Sequence, residues 1–166
     1  MSRYDITDGA SFAQAMAAIS KKLNVKVEQV NENVTREVTD CALDCISRSV
    51  PRTPIESGFL RSTAYAEING KPIARGEPEG AQKIGTYPEA VDRVEAEVGY
   101  GAKYAHRQHE DLNMRHDRTD GYRRKDGTTV NMVAGGQAKY LESVVVENID
   151  AWGKRIKDAA KRGIEE

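Results

Sequence analysis

From Phe12 onward, apolar residues return every three or four positions: Met16, Ile19, Leu23, Val27, Val30, Val34, Val38, Cys41 or Ala42, Cys45 or Ile46, and Val50. That period belongs to one face of an α-helix. Lys21, Lys22, Lys26, Glu28, Glu32, Arg36, Glu37 and Asp44 occupy the opposite face. The pattern predicts a helix over residues 12–50, started near Asp8-Gly9-Ala10-Ser11. It is either continuous or divided at Asn24, because Val25 falls off the stripe there. Pro51 is expected to stop it, since proline lacks the amide donor and disfavours helix at the residue before it. At 1.5 Å per residue such a helix is about 58 Å long, against about 30 Å for a small domain. It either breaks or reaches towards something outside its own core.

Beyond the proline the period changes. Residues 51–61 predict an extended stretch and then a short helical turn. Ala64, Ala66 and Ile68 alternate as in a strand, and Asn69-Gly70 is a hairpin signal. Pro72, Pro78, Pro88 and the glycines among them predict a loop over 71–90. Val94, Ala96 and Val98 predict a strand over 91–98, and residues 103–112 a short strand or helical turn. Within the polar stretch 113–137, Tyr122 to Val130 predicts a projecting hairpin turning at Asp126-Gly127. Residues 138–166 bring Leu141, Val144, Val145, Ile149, Trp152, Ile156 and Ala159 or Ala160 onto one helical face. Gly153 and Gly163 weaken that helix.

The order implies an α+β fold with a long N-terminal helix, a small antiparallel β-sheet with long loops, and a C-terminal amphipathic helix. We read one domain over 1–166. Its parts are the long helix 12–50, a sheet region 62–112, an inserted loop or hairpin 113–137 and the C-terminal helix 138–166.

Composition adds a constraint. Leu, Ile, Val and Phe together number 31 of the 166 residues, a low share for a folded chain. Disorder normally also requires a large net charge, and here 25 basic side chains meet 26 acidic ones. The expectation is a folded protein with a thin core, of the kind that neighbouring subunits complete. The same balance argues against a globally basic nucleic-acid binder. No apolar run is long enough to cross a bilayer and no signal-peptide pattern opens the chain, so we expect synthesis in the cytosol and no membrane partner. Cys41 and Cys45, four apart in a helical pattern, read as small buried apolar residues rather than a redox pair.

Few residues suggest chemistry. His106, His109 and His116 lie close together with Glu110, Asp111 and Asp117 among them, all suitable ligands for a divalent metal. Their spacing matches no helical metalloprotease or zinc-finger motif, so a metal-dependent enzyme built on them is a remote alternative. Ser57 and Ser62 sit in no nucleophile-elbow pattern. Arg123, Arg124 and Lys125 at the hairpin form a candidate contact with DNA phosphates or an acidic partner. We expect no catalytic residue and no cofactor.

Three segments together carry a resemblance. Thr53-Pro54-Ile55-Glu56-Ser57-Gly58-Phe59-Leu60-Arg61-Ser62 resembles the "aPvdTGxLrxS" segment of tailed-bacteriophage neck proteins, small head–tail connector or tail-completion proteins often called minor capsid proteins. Tyr104 to Glu110 resembles that family's "YAxxqHE" stretch. His116 followed by Gly136-Gln137-Ala138-Lys139-Tyr140-Leu141 resembles its closing "H…GxAxyL" segment. Order and approximate spacing agree over about residues 12–160, and residues 117–135 look like an insertion.

The resemblance implies a virion structural protein and no enzyme. It would form a six- or twelve-fold ring at the neck, between the portal or adaptor protein and the tail terminator or tail tube proteins, with incidental contact with packaged DNA. The alternative is a minor capsid-associated or tail-terminator protein of the same particle. On this reading Pro54 keeps the chain extended, Gly58 turns it, Phe59 and Leu60 anchor the turn, and Tyr104, Tyr140 and Leu141 pin the sheet to the last helix. His109 or His116 bonds across the sheet or to a buried carbonyl, and Val30 and Val34 lie on a helix face shared between subunits.

Overall fold

The computed structural model describes residues 9–54, 58–113, 122–123, 125–127, 129–130 and 136–165. Helix α1 (Gly9–Arg52) is followed by α2 (Phe59–Ser62), strands β1 (Ala64–Ile68), β2 (Lys71–Glu77), β3 (Gly80–Lys83) and β4 (Ala96–Tyr100), and helix α3 (Ala105–Glu110). A small hairpin, β5 (Tyr122–Arg123) and β6 (Thr129–Val130), precedes helix α4 (Tyr140–Glu165). The α+β class read from the periodicities is the observed one.

Helix α1 is continuous through Asn24 and about 66 Å long by its 1.5 Å rise. It also runs through Pro51 to Arg52. In the last turn a proline forfeits only one intrahelical bond, and Thr53 N–H closes the end on the Val50 carbonyl at 3.1 Å.

The four strands form an antiparallel sheet in the order β3-β2-β1-β4. The Asn69-Gly70 turn has positive φ at both residues, 50° and 72°, as a tight hairpin requires. The loop expected over 71–90 is instead largely β2 and β3, and the strand expected over 91–98 lies further on, at Ala96–Tyr100. The prolines and glycines that suggested a loop have positional roles inside the sheet. Pro72 faces Glu67 beside a register shift in β1, where a missing amide is tolerated. Gly76 is a close-approach site: a Cβ there would lie 1.9 Å from the Arg61 carbonyl oxygen.

The core forms between α1 and one face of the sheet. Ala42, Ile46 and Val50 pack on Ala64, Ala66, Ile68, Ile73 and Ala74, and the inward-outward alternation of β1 follows the pleat. Small residues dominate, so the core is thin, as composition implied. The segment after β3 returns along α1. There the Tyr87 hydroxyl bonds Asp40, with the Lys83 ammonium 3.9 Å from the Tyr87 ring centre, and Asn31 Nδ2 donates to Asp92 at 2.8 Å.

Helix α4 runs antiparallel along α1. Their pairings follow in reverse order: Arg52 with Glu147, Trp152 with Asp44, Arg155 with Glu37, and Gly163 against the backbone of Val30. The Trp152 indole N–H donates to Asp44 at 2.9 Å, and Arg48 bonds the other oxygen at 2.7 Å. Gly163 has a packing reason, since a Cβ would stand 2.7 Å from Val30 Cα. The expected hairpin is present, with Tyr122 opposite Val130 and Arg123 opposite Thr129, and Gly127 at φ 89° in its turn.

Candidate functional site

Two places gather the residues singled out from the sequence. The first is a knot at the end of α1. Gly58 has φ 77°, and a Cβ there would sit 2.9 Å from Pro78, so the turn needs glycine twice over. It delivers Leu60 into a small cluster with Ala102 and Ala105 and turns Arg61 inward. The buried Arg61 guanidinium bonds carbonyls only: Thr53 at 2.9 Å, Pro51 at 2.9 Å and Pro78 at 3.0 Å. Burial pulls its pKa below the usual arginine value. Pro54 is buried beside this turn. Phe59, expected to anchor the core, is instead 56% exposed and tilts against the ring of Tyr104, which is also largely exposed. The inward place on that turn belongs to Leu60.

The other resemblance-bearing segments enter the same knot. Tyr140 is buried, donates its hydroxyl to the Ala105 carbonyl at 3.1 Å, and meets Tyr100 and His109 edge to face at 4.9 Å. The Tyr100 hydroxyl sits between those of Thr53 (2.8 Å) and Ser49 (3.0 Å). Lys139 N–H bonds the His109 carbonyl at 2.7 Å, and Gln137 N–H bonds the Arg52 carbonyl at 2.9 Å. Lys139 adopts φ 55° to make the turn into α4.

Of the three histidines, the described residues include two. His106 is exposed, His116 lies outside the described residues, and His109 is joined by Glu110 and Glu142. These three bring ligand-type atoms near one another, the one such grouping found among the described residues. Its cation is already supplied: Lys139 pairs with Glu110, and with Glu142 at 2.7 Å. His109 Nε2 accepts the Glu142 amide at 3.3 Å, which leaves the ring proton on Nδ1 to be donated to Glu110 at 2.6 Å. So His109 bonds to α4 and to its own neighbour rather than across the sheet. The bonds from Lys139, and secondly from His109, hold the Glu110 carboxyl down at about 2.

The second place is an apolar groove of about 390 Å³ between the two long helices and β4. Cys41 and Cys45 form part of its α1 wall, Ala96 and Val98 the β4 wall, and Leu141, Ile149, Trp152 and Gly153 part of the α4 wall. Both cysteines are buried as expected, and burial pushes the Cys45 thiol up to about 11. Ile149 and the neighbouring Val146 are mostly exposed at the groove's rim.

Val30 and Val34 are half-buried, and the Val30 backbone touches Gly163 of the same chain. The exposed part of the stripe lies further towards the N-terminus, where Met16, Ile19 and Leu23 are 49%, 51% and 59% exposed. Of the basic run, Arg124 lies outside the described residues, Arg123 falls in β5, and Lys125 is exposed beside the turn at Asp126-Gly127. Ser57 likewise lies outside the described residues, while the Ser62 hydroxyl bonds the Phe59 carbonyl at 2.8 Å.

No protein-family model, curated protein or solved structure matches the chain. No helix among the described residues is long and apolar enough to cross a membrane.

Proposed function

We propose that this chain is a structural protein of a tailed-phage particle, forming a ring at the neck that joins the portal side of the head to the tail. One observation carries the proposal. The three segments that resemble the neck-protein family lie far apart in sequence, yet described residues of each meet in a single knot. Arg61 ties the end of α1 to the β2–β3 turn, Leu60 packs on Ala105, and Tyr140 and Lys139 bond the backbone of α3. Residues that jointly determine a fold are what a structural family is expected to share.

The polar side chains in the knot are engaged in fixing it. Arg61 bonds carbonyls, both nitrogens of His109 are bonded, and Lys139 lies between two carboxylates. That arrangement supports a scaffold role over an acid–base or nucleophilic one. The test is disruption of the gene in the virus that encodes it. The expected result is DNA-filled heads and complete tails that stay separate, and joining restored by supplying the protein. Joined, infectious particles without it would overturn the proposal.

A further inference from the structure

Helix α1 outruns its partner. Helix α4 ends beside Lys26, whose ammonium bonds the Ile164 carbonyl. Residues 9–25 extend beyond that point for about 25 Å at 1.5 Å per residue. Residues 16–25 of this arm are all exposed. Met16, Ile19 and Leu23 nevertheless follow one another at helical spacing of three and four, an apolar stripe about half exposed among the described residues.

The apolar groove is the complementary feature. Along α4 it runs from Leu141 to Ile156, about 23 Å by the same rise. It contains Gly153, in the interior of α4, where glycine is the costliest ordinary choice after proline. The two glycines of α4 differ in an informative way. Gly163 is needed by the chain's own packing against Val30, whereas a Cβ on Gly153 would meet nothing within 4 Å. Among the described residues nothing gives a reason for glycine at 153. A helix crossing α4 closely from outside does.

We propose that the α1 arm of one copy docks in the groove of a second copy, laying Met16, Ile19 and Leu23 into it and crossing α4 at Gly153. The arm cannot reach its own groove: α1 is unbroken, and Leu23 stands about 27 Å along it from Cys41. Charge sets the direction. Lys21 and Lys22 are exposed on the arm, and residues 9–25 contain no acidic side chain. On α4, Asp150 lies on the N-terminal side of Gly153, after Glu142 and Glu147, which pair with Lys139 and Arg52, and Lys154 and Lys157 lie on the other side. The arm therefore runs antiparallel to the α4 it enters, with its lysines towards the acidic half. Because arm and groove are different surfaces, the contact is heterologous, and it generates a closed ring or a chain of copies.

Sedimentation velocity on the full-length chain tests this with two variants at exposed positions. Ile19→Glu with Leu23→Glu disables the arm, and Gly153→Arg blocks the groove. Each should keep wild-type helicity by circular dichroism and weaken self-association by roughly tenfold or more. Mixing them should restore a 1:1 pair, since one retains a sound groove and the other a sound arm. Lys22→Glu, which leaves the apolar stripe intact, should weaken association and be rescued by Asp150→Lys. A monomeric wild type, a groove variant that assembles normally (arm pairing with arm), or a mixture that stays monomeric would each overturn the inference. The inference does not rest on the neck reading: a chain that associates through arm and groove yet is absent from virus particles would contradict only that reading.

Discussion

Arg61 donates from its guanidinium to the carbonyl oxygen of Pro51 at 2.9 Å, so the residue that should end the long helix is capped from the segment that follows it. The same side chain reaches Thr53 and Pro78. Helix ends leave carbonyls without intrahelical partners, and here a buried cation satisfies them. Replacing Arg61 with Met should cost about 3 kcal/mol, because buried carbonyls lose charge-assisted bonds. The midpoint of thermal unfolding should fall by about 6–12 °C. Lysine should recover only part of the loss, since one ammonium cannot span three carbonyls in the plane of the guanidinium fork. An unchanged melting temperature in Arg61→Met would contradict the clamp.

The two glycines of α4 should respond oppositely to alanine. Gly163→Ala pushes a methyl to within 2.7 Å of the Val30 backbone, so the helices must separate. It should destabilise by about 1–3 kcal/mol despite alanine's better helix propensity. Gly153→Ala meets open space and should stabilise the monomer by about 0.5–1 kcal/mol. Urea titration of both variants, followed by the fluorescence of Trp152, the chain's one tryptophan, reads both signs. Equal effects would refute the packing account of Gly163.

Acid should loosen the junction of α3 and α4 before the core. Glu110 is held at about 2 against an ordinary value of 4.5, first by Lys139 and then by His109. A carboxyl depressed in the folded state contributes stability above its unfolded pKa and loses it as pH falls through the folded one. The junction therefore weakens as pH drops from about 4.5 towards about 2. Glu147, held down by its bonds from Arg52, loosens the neighbouring contact in the same direction. Lys139 is raised, so its share is lost only on the strongly alkaline side. Both ion pairs are exposed, so salt should blunt the effect. The protection factor of the Lys139 amide, which bonds the His109 carbonyl, should fall over the acid range once the intrinsic exchange rate at each pH is divided out, and do so less steeply in Lys139→Met. Exchange independent of pH-driven opening in the wild type would contradict this.

Much of this fold is legible along the chain because its period is regular. The α1 stripe, the alternation of Ala64, Ala66 and Ile68, the Asn69-Gly70 turn and the face of α4 are local patterns, and local patterns survive without tertiary context. Strands β2 and β3 were hidden because Pro72 and Gly76 look like loop punctuation. Their reasons are non-local: a register shift opposite Glu67, and the Arg61 carbonyl against Gly76. No local pattern marks Arg61 as buried; the turn at Gly58 carries it inward. Phe59 and Leu60 are adjacent, and only the direction of α2 decides that Leu60 is buried. In the same way the three histidines form a cluster in sequence, whereas the fold pairs His109 with Glu142, a residue far along the chain.

The central claim, a subunit of the head–tail junction, is most directly tested by cryo-electron microscopy of the neck of intact particles. The account predicts a closed ring of copies of this chain between portal and tail, with the long α1 helix resolved. A neck density into which the chain does not fit, or its presence only elsewhere in the particle, would contradict it.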